Sequence, residues 1–361
     1  MDVTFLGTAS AYPTPSRCVS CTAIRFTNKD SVWMFDCGEG SQIQLMKSNL
    51  KPGKISKIFI THLHGDHVFG LPGLLCTVSQ NNQRSEPVEI YGPLGLRNYI
   101  RVSLGYSRSE LGFNFVIHEM EPIKQQLPPD TWAVDTPTEA GVHPNEQPGS
   151  VIKCDERHVW TCLSDNSCTV EAVWIKHRVP SFAFIIKERD RPGRLEVEKL
   201  KSLGVPPGPM YGRIKAGETV TLPCGKEVGP QDVLGEPQKG LVVVVGGDSS
   251  DSSELLKVAQ NADLLIHEAT LENACHETCV ERGHSTPKMT AELAKKLNVR
   301  QLIMTHFSQR YRPLSYDIKE GEQSVRTLLL EAQEILGDSV TCAEDLMTFT
   351  LTHETLTKLC R

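Results

Sequence analysis

Residues Ile58 to His67 read Ile-Phe-Ile-Thr-His-Leu-His-Gly-Asp-His, and no other stretch restricts the fold as strongly. Ile58, Phe59 and Ile60 make a short apolar run without polar alternation, the pattern of a strand buried on both faces. It leads straight into His62-x-His64-x-Asp66-His67. Three imidazoles and one carboxylate within six residues, on a glycine-containing loop, are poor packing material. They are nitrogen and oxygen donors of the kind that hold zinc, with positions left open for water. His62 and His64, spaced i, i+2 as on a strand, can face one ion. Asp66 and His67, after the turn at Gly65, can face a second. A surface turn that happens to be histidine-rich is the competing reading.

Three later strands end in the same way. Thr169–Ile175 runs into His177, Leu241–Val245 into Asp248, and Gln301–Met304 into His306. A polar group at the carboxyl end of a buried strand is where α/β folds place chemistry. Any one of the three alone reads as a core histidine or a capping aspartate. Together with the His62–His67 loop they make seven ligands, a set for two ions. His62, His64 and His177 are assigned to one, Asp66, His67 and His306 to the other, and Asp248 bridges them.

Strands and helices alternate in the first and last thirds of the 361 residues, which predicts an α/β sandwich of two similar halves in a single domain, residues 1–361. Expected helices lie over Gln42–Ser48, Leu71–Ser79, Leu96–Leu104, Ser253–Asn261, Glu322–Leu336 and from Pro287 to Leu297, the last capped by Ser285 or Thr286. Between the thirds the texture changes. Residues 121–150 hold six prolines and an acidic excess, and read as an irregular insertion. His118, His143 and His158, in or near it, are expected to be solvated. Residues 188–220 are basic and dense in Gly and Pro, a composition that opposes a core and favours an extended, partly stiff arm, with room for a short helix over Leu195–Leu203.

No apolar run reaches the length that spans a bilayer, and the start Met1-Asp2-Val3-Thr4-Phe5-Leu6 has neither the form of a secretory signal nor that of a mitochondrial transit peptide. We therefore expect a cytosolic protein, also nuclear, with no membrane partner. Its 12 cysteines are scattered, so they read as reduced thiols, with packing roles for Cys18, Cys21, Cys275 and Cys279. The net charge of −6 speaks against a nucleic-acid partner only on average. From Lys187 to Lys215 there are eight Lys or Arg against four acidic residues.

The order of these motifs resembles the metallo-β-lactamase superfamily and, within it, the short form of tRNase Z, the tRNA 3′-processing endoribonuclease. The resemblance rests on Gly7–Pro15, Asp36-Cys37-Gly38-Glu39-Gly40, the His62–His67 loop, His177-Arg178-Val179-Pro180-Ser181-Phe182, Gly247-Asp248, His267-Glu268-Ala269-Thr270, Gly283-His284-Ser285-Thr286 and Thr305-His306-Phe307-Ser308. It covers most of the chain; insertion 121–150 is longer than the family core needs. The resemblance implies a zinc-dependent endoribonuclease that cuts precursor tRNA after the discriminator nucleotide, with two zinc ions per chain and a homodimer. Two zinc ions about 3.5–4 Å apart lower the pKa of a shared water and neutralise the attacked phosphate. Asp66 would orient that water and take its proton, His284 would protonate the leaving 3′ oxygen, and Glu268 would orient His284.

The basic arm resembles the family's exosite for the tRNA elbow, with Arg191, Arg194, Lys199, Lys201, Tyr211, Arg213 and Lys215 as its contact residues. Charge and shape would hold the folded RNA backbone there. Arg310, Tyr311 and Arg312 read equally as acceptor-end contacts or as a solvated run. Two other functions share parts of this pattern. A small-molecule hydrolase of the same fold would use the metal loop but has no use for a basic arm. A non-catalytic RNA scaffold would have no need of all seven ligand types.

Overall fold

Ile58 and Phe59 are both wholly buried, yet they point to opposite sides, as alternation with period two requires. The strand that carries them, Ile55–Phe59, lies inside a nine-stranded sheet. Ile58 packs in one core cluster with Ile90 and Ile117 of neighbouring strands and with Leu71, Leu74 and Leu75 of the helix Leu71–Ser79. Phe59 faces the other way. Its ring stacks on Phe35 at 5.0 Å and meets Phe184 edge-on at 5.2 Å. Phe184 belongs to the strand Ser181–Glu188 of a second sheet, of seven strands. Two sheets thus meet through aromatic side chains and carry helices on their outer faces. On the second sheet, Leu265, Leu302 and Met304 pack with Ala291 and Ala294 of the helix Pro287–Leu297 and Leu328 of the helix Val325–Leu336.

The computed structural model describes residues 1–27, 29–80, 84–127, 141–353 and 355. In the first sheet Ser31–Phe35, Ile55–Phe59, Val88–Pro93 and Phe115–Met120 run parallel. Asp2–Gly7 and Cys21–Phe26 extend it antiparallel. In the second sheet Val242–Val245, Leu264–Glu268, Gln301–Thr305 and Val340–Cys342 run parallel. Parallel strands bring their carboxyl ends to one edge, so the residues that follow them collect there. No helix of the described residues is long and apolar enough to cross a membrane.

The chain separates into two compact units: Met1–Ser164, Val170–Ile186 and Val242–Arg361 form the first, Asp165–Thr169 and Lys187–Leu241 the second. The second unit is longer than the arm expected over 188–220, and it is not the coreless protrusion its composition suggests. Leu200, Val205, Ile214, Val220, Leu222, Val228 and Val233 form a small core of their own. Around it stand the helices Val197–Ser202 and Pro209–Lys215 and the strand pair Val220–Thr221 and Glu227–Val228. Pro209 opens the second helix, where its missing N–H costs nothing, and Gly208 before it adopts a positive φ of 145°. Gly and Pro here punctuate short elements instead of preventing them.

Three further expectations need correction. The helix expected over Ser253–Asn261 is a five-residue 3-10 turn, Ser253–Lys257, because Val258 leaves helical angles and Asn261 takes a positive φ of 58°. That path lets Leu255, Ala259 and Ala262 all reach one core. Within the insertion 121–150, residues 128–140 lie outside the described residues. Of the rest, Lys124–Gln126 forms a 3-10 turn and Glu146–Gln147 adds to the first sheet. His143 is buried rather than solvated, its Nε2 bonded to the Ser109 carbonyl at 2.9 Å and its ring against Phe115. His118, which stacks on Tyr91, and His158 are both half-buried.

Candidate metal centre

At the end of Ser31–Phe35 the chain turns at Asp36, which has a φ of 59°, a left-handed angle that Asp tolerates better than most residues. From there its carboxylate accepts the Thr61 N–H at 2.7 Å, the Thr61 hydroxyl at 2.9 Å and His67 Nδ1–H at 2.7 Å. One side chain thus ties the entry of the motif loop to its last histidine. The Thr61 hydroxyl in turn accepts from His62 Nδ1 at 3.0 Å. His177 donates from Nδ1 to the Gly283 carbonyl at 2.7 Å, and His306 from Nδ1 to the Thr270 hydroxyl at 3.1 Å. In all four rings the hydrogen bond behind Nδ1 leaves the Nε2 lone pair facing inward, the usual device for orienting a metal-binding imidazole.

Those lone pairs converge. His62 Nε2 and His177 Nε2 each lie 3.1 Å from His64 Nδ1, and His62 Nε2 lies 3.7 Å from Asp248 Oδ2. His306 Nε2 lies 3.3 Å from His67 Nε2, from Asp66 Oδ2 and from Asp248 Oδ1. Asp248 contributes one carboxylate oxygen to each group. A tetrahedral zinc ion with bonds of about 2.0–2.2 Å sets its ligand atoms roughly 3.3–3.6 Å apart, so both groups have the spacing of a cation cage. The electrostatics divide the two groups: burial opposes the charge on His67, but the Asp248, Asp36 and Asp66 carboxylates outweigh it and hold that imidazole well above its ordinary value, so positive charge collects in the second group. Burial drives the imidazoles of His62 and His177 down and takes His64 to about 4, which keeps all three in the neutral, ligating form. Burial opposes the charge on Asp66 and Asp248, yet the facing imidazoles outweigh it and hold both carboxylates below the usual range. Buried anions in such a place require cations close by.

Beside this centre, His284 Nδ1 lies 3.1 Å from Glu268 Oε1. Glu268 is 1% exposed and ends the strand Leu264–Glu268; the Thr270 hydroxyl also donates to it. Burial pulls the His284 imidazole down, but the Glu268 carboxylate outweighs it and lifts the group to about 9. A charged imidazole can give up a proton. His64, Asp66, Asp248 and His284 line a cavity of about 650 Å³.

All seven ligand-type residues, with His284 and Glu268, therefore share one place in the first unit. The seven arm residues belong to the second unit. There Arg191, Lys199, Lys201 and Arg213 pair with Glu188, Glu196, Glu198 and Glu218, and Tyr211 packs against the small core. Arg194 and Lys215 are exposed with no acidic partner among the described residues. The run Arg310–Arg312 divides: Tyr311 is buried, Arg312 pairs with Glu322 at 2.8 Å, and Arg310 lines the cavity. Sequence reasoning assigned no role to Asp36, Thr61 or Thr270. Asp36 had the same signal as Asp248, a carboxylate just past a buried strand, while the two threonines carry no signal apart from adjacency.

The family model described as Anti-Pycsar protein Apyc1 matches residues 1–104, a stretch too short to set the family of the whole chain. The human protein named zinc phosphodiesterase ELAC protein 1 is 46% identical over 366 residues, covering 97% of this chain and 98% of its own. A crystal structure of human tRNase Z, short form, superposes with a TM-score of 0.68 at 36% identity, covering 98% of this chain and all of that one. A crystal structure of the metallo-β-lactamase fold protein YhfI from Bacillus subtilis superposes at 0.58 with 15% identity, over 96% of this chain and 98% of that one, and so speaks to fold alone. The fold is the metallo-β-lactamase sandwich, and the chain belongs to the tRNase Z family of zinc phosphodiesterases.

Proposed function

We propose that this protein is a zinc-dependent endoribonuclease that cuts precursor tRNA after the discriminator nucleotide and removes the 3′ trailer. The observation that carries the reading is the shared carboxylate of Asp248 between two ligand groups, beside the His284–Glu268 pair and open to one cavity. His62, His64, His177 and Asp248 would hold one zinc ion, and Asp66, His67, His306 and Asp248 a second. When bound, zinc supplies Lewis-acid polarisation of the phosphate and of the attacking water.

The chain's own residues handle the protons. Asp66, fixed by the Ala11 N–H at 2.7 Å, orients the water and takes its proton as the water oxygen attacks phosphorus. The bond from phosphorus to the 3′ oxygen breaks, and His284 gives that oxygen a proton. Glu268 holds His284 in place and favours its charged form. The products are a 3′-hydroxyl on the tRNA and a 5′-phosphate on the trailer.

The second unit's basic residues, Arg194 and Lys215 foremost, serve as the tRNA contact. The working assembly is a homodimer, a reading supported by two large apolar side chains left exposed on the helix Ser41–Lys47, Ile43 and Met46. Light scattering should then give twice the 40.0 kDa chain mass, and a monomer mass would contradict it. The cytosol, with the nucleus as a second site, suits a chain whose described cysteines are all free thiols; export of a tagged chain would refute this. The test of the function is incubation with a 3′-extended tRNA, with and without a chelator, and mapping of both new ends. One cut after the discriminator, lost with the chelator, is expected; a chelator-resistant or scattered cut overturns the reading.

A further inference from the structure

Two large rings on the cavity wall face solvent although the fold has ample core to bury them. Phe69 is 65% exposed and Tyr12 60% exposed, and both line the cavity that holds Asp66 and His284. Neither stacks on another ring among the described residues. Each is held by the machinery itself. Phe69 closes the short helix Gly65–Val68 of the motif loop, and its ring lies against the bare backbone of Gly65, where a Cβ would come within 2.2 Å of it. Tyr12 follows Ala11, whose N–H binds Asp66 and whose φ is 63°; the Tyr12 carbonyl accepts from Gln309. Both rings are thus fixed relative to Asp66 through the backbone.

The charges around them are also unpaired. Arg25, Arg97, Arg101, Arg157, Arg300 and Arg312 each have a carboxylate within 4 Å. Arg178, Arg282 and Arg310, which line this cavity, are exposed and have none among the described residues. Outside the metal centre the cavity offers one carboxylate, Glu39. A wall with free guanidinium groups and bare aromatic faces matches a flexible single strand, whose phosphates take the charges and whose bases stack on the rings.

We infer that Phe69 and Tyr12 are stacking platforms for the nucleobases on either side of the cleaved bond, with Arg178, Arg282 and Arg310 holding the adjoining phosphates. This rests on the ribonuclease reading and adds the residues that grip the strand next to the cut.

The test compares a 3′-extended tRNA with the same RNA lacking the base at the discriminator or at the first trailer nucleotide. Phe69→Ala, Phe69→Leu and Tyr12→Ala should each lower kcat/KM on the intact RNA about 5- to 150-fold, the range for loss of one base stack. Zinc content should stay at the wild-type level. The leucine variant keeps the apolar contact with Gly65 while losing the ring. For each variant, removing one of the two bases should abolish the further loss caused by the mutation. Wild-type rates for Phe69→Leu and Tyr12→Ala, or equal losses on intact and base-deleted RNA, would overturn the inference. Failure of the wild-type protein to cut the intact RNA at all would instead defeat the ribonuclease reading beneath it.

Discussion

Asp36 shows how much of a metal centre lies outside its ligands. It touches no candidate ion, yet its carboxylate accepts from Thr61 and from His67, and through Thr61 it reaches His62. One carboxylate therefore orients a histidine from each ligand group. Asp36→Asn keeps the size and the tolerance of a left-handed φ, but it turns one acceptor into a donor facing Thr61 or His67. Zinc affinity, read by competition with a chelator, should fall about 10- to 100-fold, as for other partners behind a ligand. Affinity equal to wild type would show that His67 and His62 are aimed by their packing alone.

The same strand-end logic explains why the centre was readable and where reading failed. His62, His177, Asp248 and His306 stand just past buried strands, and a residue-by-residue reading can see that juxtaposition. Hydroxyls such as Thr61 and Thr270 follow strands throughout the chain, so nothing in their order marks them as holders of ligands.

At the level of elements, the two sheets meet through a stack of rings whose middle member is Phe59, placed between Phe35, Tyr91 and Phe184. Phe59 is wholly buried. Phe59→Ala removes a ring from a close-packed interface that cannot collapse without moving the metal loop two residues on. Denaturant unfolding should show a loss of about 3–5 kcal/mol; less than about 1 kcal/mol would mean that the sheets do not depend on this contact. The strands were legible because runs such as Val242–Val245 are uniformly apolar. Of the short elements of the second unit, only the helix Val197–Ser202 was. Leu200, Val205, Ile214 and Val220 are spaced irregularly, so no helical or strand period announces the core that tertiary packing makes of them.

For the whole molecule, an overall charge of −6 must coexist with an RNA substrate. Four of the basic residues first marked as tRNA contacts are neutralised by neighbouring glutamates, which leaves Arg194 and Lys215 as the bases of that set with free charge. Replacing either by Ala should weaken binding of precursor tRNA and reduce the slope of log affinity against log salt by roughly one. Arg191→Ala, which removes a paired charge, should change that slope less. Equal slopes for all three variants and the wild type would take the RNA contact away from this unit.

Side chains from four distant parts of the chain are proposed to enclose a pair of zinc ions that share Asp248. Anomalous X-ray diffraction at the zinc edge, on crystals of the purified protein, tests this proposal most directly. Two peaks are predicted, one among His62, His64 and His177 and one among Asp66, His67 and His306, with an Asp248 oxygen on each. A single peak, or His177 or His306 turned away from the loop, would contradict it.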